Sequence, residues 1–263
     1  FQMLSRQLLR CVLPARFAST KTTHFGFEDV PEDEKAKRVA EVFTGVAEKY
    51  DCMNDAMSFG IHRLWKDYFV DTLPLKKDAE DVAGGTGDIS LRVASRFRNA
   101  KITVCDINQG MLDVGRRKAQ ANLSVDTSRL SWVCGDGEAL PFEDNSFDAF
   151  TISFGIRNCT HVDRVLREAA RVLRPGGIFA CLEFSKVHPM LSPFYEFYSF
   201  NVIPVMGEVI AGDYKSYKYL VESIRKFPDQ REFAQMIEEA GLRQVTYENL
   251  TFGVCSIHRG VKE

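Results

Sequence analysis

The period of the apolar positions changes along the chain and divides it. Over 34–50, "EKAKRVAEVFTGVAEKY", Val39, Val42, Phe43, Val46 and Tyr50 fall on one helical face. A second helical pattern covers 61–73. Short β-branched runs then alternate with amphipathic stretches. Strands are predicted at 79–83, 101–106, 130–134, 147–154 and 177–184, and helices between them at about 88–98, 109–122 and 161–173. Strand and helix in repeated order imply a parallel sheet covered on both faces and joined by right-handed crossovers. The aromatic-rich stretch 188–228 breaks this rhythm and predicts a helical insertion. A further helix is expected at 229–240, stopped by Gly241. The runs 243–249 and 252–259 are close enough to pair as an antiparallel hairpin.

Composition narrows the classes. With 263 residues the chain can bury a full core. A net charge of −2 gives no global basic field, so no nucleic-acid partner is expected. The seven cysteines are scattered and form no C-x-x-C pair. Cys105, Cys134, Cys181 and Cys255 lie in or beside strand-like runs and are read as buried small hydrophobes in a reducing compartment. No His/Cys/Asp cluster has ligand spacing, so no metal is expected. Residues 1–27 carry Arg6, Arg10, Arg16 and Lys21 but no acid before Glu28, with Leu4, Leu8, Leu9 and Val12 at helical spacing. That is the composition of a mitochondrial transit peptide, the alternative being a disordered basic tail.

The stretch "DVAGGTGDIS", 81–90, follows a strand and opens a helix. Gly84, Gly85 and Gly87 remove Cβ atoms where a ligand must approach the backbone. The P-loop lysine is missing, and the spacing is not that of the dinucleotide fingerprint. Asp88 at the helix start would repel phosphate, and Asp81 repeats the point. About 20 residues on, "VCDIN" places Asp106 to accept hydrogen bonds from ribose hydroxyls. A phosphate-free, ribose-bearing ligand with a cationic part is S-adenosylmethionine. In "CGDGEALPF", Asp136 is a candidate for the adenine amino group and Gly137 leaves room beside the ring. Capping of the next turn is the alternative for Asp136. In "TISFGIRNCTH", 151–161, Arg157 and Asn158 stand just past a buried strand, where they are either loop residues or ligand contacts.

Two segments, "YDCMNDAMSFGIHRLWK" (50–66) and "RVLRPGGIFACLEFS" (171–185), closely resemble the signatures of the ubiquinone/menaquinone-biosynthesis C-methyltransferase family. The first matches at Tyr50, Asp51, Met53, Asn54, Ser58, His62 and Trp65, and the second without a break. "AGGTGD", "ISFGIRN", "SYKYLVESIRKFPDQ" and "LTFGVCSIHRG" extend the resemblance over roughly 30–263, and the transit-peptide-like start points to its mitochondrial branch. The resemblance implies a class I S-adenosylmethionine-dependent methyltransferase fold. This α/β fold has a seven-stranded, mostly parallel, doubly wound sheet ending in an antiparallel hairpin. It implies one methyltransferase domain over 28–263, with a helical lid at 28–75 and a substrate insertion at 188–228. It also implies cofactor contacts from Thr86, Asp106, Asp136, Gly137 and Ser153, alongside the glycine loop. Bacterial relatives often carry Asn-Ala where this chain has Asp136–Gly137.

The implied acceptor is a polyprenyl methoxy-benzoquinol whose ring carbon takes the methyl group. Such a carbon becomes nucleophilic when the adjacent phenol loses its proton, so a base or a stabilising cation is needed. Arg157 has the fixed charge for the second role, or could polarise a water. Asn158 and Tyr50 are candidates for the ring oxygens. His62 and His161 are equally well read as packing or helix-start residues. The insertion's Phe194, Tyr195, Phe197, Tyr198 and Phe200 either pack on the sheet or form an apolar tunnel or membrane-facing surface for the tail. The family further implies peripheral inner-membrane contact on the matrix side, partner proteins of ubiquinone synthesis and a homodimer. Demethylmenaquinol is the alternative substrate. A mainly structural part in a ubiquinone-synthesis complex, a nicotinamide reductase, and a nucleic-acid or protein methyltransferase are the alternative classes.

Overall fold

The computed structural model describes residues 21–46, 50–75 and 80–263. The chain enters through a hairpin, β1 (Thr22–Phe25) and β2 (Glu28–Pro31), turning at Gly26 with φ +59°. Three helices follow: α1 (Glu32–Val46), α2 (Tyr50–Ser58) and α3 (Ile61–Asp71). The alternating part is β3 (Glu80–Ala83), α4 (Asp88–Arg96), β4 (Lys101–Asp106), α5 (Gln109–Ala121), β5 (Leu130–Cys134), β6 (Phe147–Ser153), α6 (Val162–Val172) and β7 (Leu173–Phe184). The insertion holds α7 (Ser192–Phe197), α8 (Ile203–Met206) and α9 (Tyr214–Lys226), joined through π-helical turns at Tyr198–Val202 and Gly207–Ala211. The chain closes with α10 (Gln230–Glu239), β8 (Leu242–Leu250) and β9 (Cys255–Lys262).

The seven-stranded sheet has the order β5-β4-β3-β6-β7-β9-β8, and β9 runs antiparallel to both its neighbours. This is the class I methyltransferase arrangement, with its single reversed strand where the sequence predicts a hairpin. Strand order reverses between β3 and β6, and open α/β sheets bind ligands outside the carboxyl ends at such a switch point.

The period-two pattern of β7 shows why both faces are covered. Phe179 and Cys181 pack with Val165, Leu166 and Ala169 of α6 and Phe233 and Ile237 of α10. Ala180 and Leu182 point the other way, into a cluster with Phe69 of α3, Ile89 and Val93 of α4 and Leu112 of α5. A smaller cluster of Met53, Ile203, Tyr217 and Val221 ties α2 to the insertion.

Three expectations are corrected. Strand β1 lies inside the segment read as leader. Phe25 stacks on Tyr219 at 4.1 Å and the Phe27 N–H donates to Glu222 Oε2 at 3.2 Å, while residues 1–20 lie outside the described residues. Tyr50 opens α2, and residues 47–49 between it and α1 lie outside the described residues. β7 begins at Leu173, opposite Phe147, and accommodates Pro175–Gly177 through a register shift rather than starting after it. Cys134, at the end of edge strand β5, is exposed, whereas Cys105, Cys181 and Cys255 are buried.

Candidate active site

A cavity of about 560 Å³ opens at the carboxyl ends of the central strands. Its floor is the glycine turn after β3. A Cβ on Gly84 would lie 2.8 Å from the Cys105 carbonyl oxygen, so this turn can rest against β4 only without a side chain. Gly85 and Gly87 have φ of +75° and +71°, a region costly for other residues. The Gly85 N–H donates to Asp106 Oδ2 and the Asn108 N–H to Oδ1, both at 2.7 Å. These bonds orient the carboxylate and leave lone pairs for a ligand. Burial pushes the Asp106 carboxyl pKa up, and the same backbone donors oppose that.

Thr86, Asp136, Gly137 and Ser153 line the same cavity. Ser153 Oγ is buried and has no hydrogen-bond partner among the described residues. Asp136 Oδ1 accepts the Glu138 N–H at 2.8 Å, so the turn-capping alternative is also realised. A Cβ on Gly137 would meet only Val165, at 3.8 Å, so the chain itself does not require glycine there. Asp88 corrects one expectation. Its oxygens lie 2.7 Å from Lys66 Nζ and 3.1 Å from Arg92 Nε, so its charge is compensated and it is no bare repeller of phosphate. Burial raises its pKa, but the two cations outweigh burial and hold it below the ordinary value. Charge selection comes instead from the whole wall. Glu32, Asp33, Asp88, Asp106, Asp136 and Glu138 face the cavity against a single lysine, Lys66.

A second cavity of about 120 Å³ adjoins the first and shares Phe43, Lys66, Phe154 and Asn158 with it. Engineered apolar cavities of roughly 150 Å³ take one benzene ring, so this space is on the scale of one aromatic ring. Its far wall is apolar and comes from the insertion: Tyr195, Tyr198, Ile203, Leu220 and Ile224. Asn158 is buried between the two spaces. Its Oδ1 accepts the Tyr219 hydroxyl at 3.0 Å, and its Nδ2 has no partner among the described residues. Tyr219 therefore sets the amide so that its donor is left over.

Arg157 also lines the second cavity, but not as a free fork. Nη1 donates to Glu183 Oε1 at 2.9 Å and to the Phe154 carbonyl oxygen at 2.5 Å, and the guanidinium lies 5.3 Å from the Phe184 ring centre. Both partners are buried, so the salt-bridge reading holds together with the cavity position. Burial raises the Glu183 carboxyl pKa, and Arg157 opposes this. Arg157 Nε is buried and has no partner among the described residues. The side chain of Tyr50 lies outside the described residues.

The sequence of residues 31–262 matches the ubiE/COQ5 methyltransferase family. The chain belongs to this family. It is 60% identical over 244 residues to the mitochondrial 2-methoxy-6-polyprenyl-1,4-benzoquinol methylase of Caenorhabditis elegans, covering 92% of this chain and 86% of that one. The proteins of the same name from Drosophila melanogaster and Homo sapiens are 55% and 51% identical, with 92% and 91% of this chain and 85% and 84% of theirs covered. Among solved structures, a SAM-dependent methyltransferase from Thermotoga maritima is similar with a TM-score of 0.61 at 19% identity, covering 86% of this chain and all (100%) of that one. The Haemonchus contortus phosphoethanolamine N-methyltransferase 2 in complex with S-adenosyl-L-methionine has a TM-score of 0.52 at 15% identity, covering 72% and 50%. These two likenesses show the fold.

The predicted segments come together: Gly84, Gly85, Thr86, Asp106, Asp136, Gly137 and Ser153 line one cavity, Arg157 lines its neighbour and Asn158 lines both, whereas Gly87 packs against Trp132 and does not line the cavity. Sequence reasoning missed Glu32 and Asp33 of α1, Lys66 of α3 and Tyr219 of α9. The last two stand in quoted motifs, and their even helical spacing disguised them as surface residues. His161 bridges two acids, with Nδ1 2.7 Å from Glu138 Oε2 and Nε2 3.3 Å from Glu32 Oε1, and so links α1 to the sheet edge.

Proposed function

We propose that this chain is an S-adenosylmethionine-dependent C-methyltransferase acting on a polyprenyl methoxy-1,4-benzoquinol, as its relatives are named. The observation that carries this reading is the pair of joined cavities. One is acidic and polar, the other apolar and ring-sized, and Asn158 stands between them with an unspent donor.

The larger cavity fits the cofactor. With Asp88 and Lys66 paired to each other, the five further carboxylates suit a ligand with a sulfonium and an ammonium and no phosphate, which disfavours a nicotinamide dinucleotide. Asp106 would hold the ribose hydroxyls, Ser153 Oγ has an unused donor and acceptor, and Thr86 and the glycine turn present close backbone. S-adenosylmethionine supplies an electrophilic methyl when bound. The chain's own residues do the rest. Asn158 Nδ2 and Arg157 Nε are buried donors that can hold a quinol oxygen as it gains negative charge, and in a dry site such donors act strongly. Phe43 and Phe154 exclude water where the cavities meet.

In the same reading residues 28–75 form a lid and the insertion forms the tail-binding wall. Exposed Phe59, Phe194, Phe197, Val205 and Val209 lie on α2–α3 and the insertion, next to that wall, and suit contact with the bilayer that holds the substrate. No described helix is long and apolar enough to cross a membrane. Peripheral attachment to the matrix side of the mitochondrial inner membrane, association with other ubiquinone-synthesis proteins and a homodimer belong to this proposal. The deciding experiment is methyl transfer from S-adenosylmethionine to a short-chain 2-methoxy-1,4-benzoquinol. A C-methylated product is expected. Exclusive O-methylation, or no transfer with tight NAD(P)H binding, would overturn the assignment.

A further inference from the structure

Methylation of a quinol ring carbon releases one proton, and neither Arg157 nor Asn158 can accept it. Among the described residues that line the acceptor cavity, one group can. His62 is the second residue of α3, is 7% exposed and lines the ring-sized space. Its Nε2 lies 2.9 Å from Asp55 Oδ1. Asp55 is itself clamped by Arg63, with Nε to Oδ1 and Nη2 to Oδ2 both at 2.7 Å. The hydrogen bonds from Arg63 and then His62 hold the Asp55 carboxyl well below the ordinary range, so it stays an anion. An anion can only accept, so His62 Nε2 must be the protonated nitrogen. The lone pair is then on Nδ1, which is buried and has no partner among the described residues. The main chain is pinned as well. Gly60 before the helix offers no capping side chain, and the His62 N–H donates instead to Ser58 Oγ at 3.3 Å.

We propose that His62 is the proton acceptor of the reaction, and that Asp55 is the positioning residue that sets its tautomer and steadies the imidazolium. This rests on the quinol reading above. The phenol O–H proton passes to Nδ1. The ring carbon then forms its bond to the methyl as the sulfur–methyl bond breaks, and the sulfur keeps that electron pair. The methylated carbon loses its hydrogen as a proton while the oxygen regains one, so one proton in total leaves through His62. The charged groups around the imidazole agree with the role. Burial lowers its pKa, the Asp55 hydrogen bond raises it, Lys66 lowers it, and Asp88 beyond Lys66 raises it. The net direction is downward, so at neutral pH the ring is unprotonated and its lone pair is available to take a proton.

The test compares the wild type with His62→Gln and Asp55→Asn on a short-chain methoxy-quinol, with S-adenosylmethionine affinity and melting measured alongside. His62→Gln is expected to lower kcat on the order of 10²-fold with unchanged cofactor affinity. It should also lose the acid limb of the kcat/KM profile, and recover with acceptors whose phenols are already ionised. Asp55→Asn is expected to keep the limb but move it to lower pH, since Asp55 raises the imidazole pKa. Full turnover by His62→Gln with an unchanged limb would overturn the proposal. A wild type inactive on every quinol would instead overturn the substrate reading. Imidazole ¹⁵N shifts test the tautomer independently of turnover: the expected signal is the Nε2–H tautomer, and the Nδ1–H tautomer would overturn the proposal whatever the activity. If both variants unfold, those shifts in the wild type still decide.

Discussion

Arg157 and Glu183 form a buried ion pair, Nη1 to Oε1 at 2.9 Å, that joins the loop after β6 to the end of β7. Removing one partner of such a pair leaves the other uncompensated. Arg157→Ala is therefore expected to cost about 3–5 kcal/mol in urea unfolding, where an exposed arginine would cost under about 1. Arg157→Met combined with Glu183→Gln should recover much of that loss but not methyl transfer. Equal stability of wild type and Arg157→Ala would contradict the pairing.

Tyr219 reaches the site through Asn158. Tyr219→Phe removes the hydroxyl that holds Oδ1, so the amide can turn and its donor is no longer aimed. Turnover should fall roughly tenfold, a hydrogen bond's worth of about 1–1.5 kcal/mol, with cofactor affinity unchanged. Steady-state kinetics beside calorimetric titration separate the two effects.

The candidate cofactor glycines differ in what they require. Gly84→Ala drives a Cβ against the Cys105 carbonyl oxygen and should destabilise by about 2 kcal/mol. Gly85→Ala meets no protein atom within 4 Å but carries a left-handed φ, so it should cost about 1–2 kcal/mol and weaken cofactor binding. Gly137→Ala should be nearly neutral, within about 0.5 kcal/mol. Thermal melts with and without S-adenosylmethionine rank the three.

His258 on β9 is 1% exposed, with Nε2 2.9 Å from the Gln230 carbonyl oxygen, and burial pushes its pKa down to about 4. The unfolded imidazole titrates near about 6.5, so the unfolded state takes up a proton first as pH falls. The stability His258 supports is present above about 6.5 and drains away towards about 4, by about 3 kcal/mol in all. His258→Gln should flatten this part of the stability profile, and an unchanged slope would refute the account.

Phe194 and Phe197, 76% and 67% exposed, test the membrane-facing surface. Replacing both with serine should leave activity on a short-chain quinol intact and reduce it on a long-chain quinol in cardiolipin-containing vesicles. Equal loss on both substrates would assign these rings to the site itself.

The parallel sheet, its final hairpin and the insertion were legible because apolar period alone distinguishes β7 or α4 from a loop. The grouping of Gly84, Gly85 and Asp106 around one cavity was legible because they sit at strand ends, where spacing along the chain translates into position. The acceptor cavity was less so. His62, Lys66 and Tyr219 come from three-turn helices whose contacts depend on how those helices cross, and Glu183 is distant in sequence from the arginine it pairs with. The β1–β2 hairpin was hidden by the basic composition of the segment before it.

The two cavities meet at Phe43 and Phe154 but are enclosed by different elements. α1 covers the first, tied down by Lys35 Nζ to the Cys159 carbonyl oxygen at 2.9 Å and by Asn108 Nδ2 to Thr44 Oγ1 at 3.1 Å, while the insertion walls the second. With the ligands proposed above, the water-soluble ligand would sit under α1 and the lipid-bound one against the insertion. Such a protein could reload its donor from the aqueous side while its other face keeps hold of the bilayer, and so carry out many turnovers without letting go.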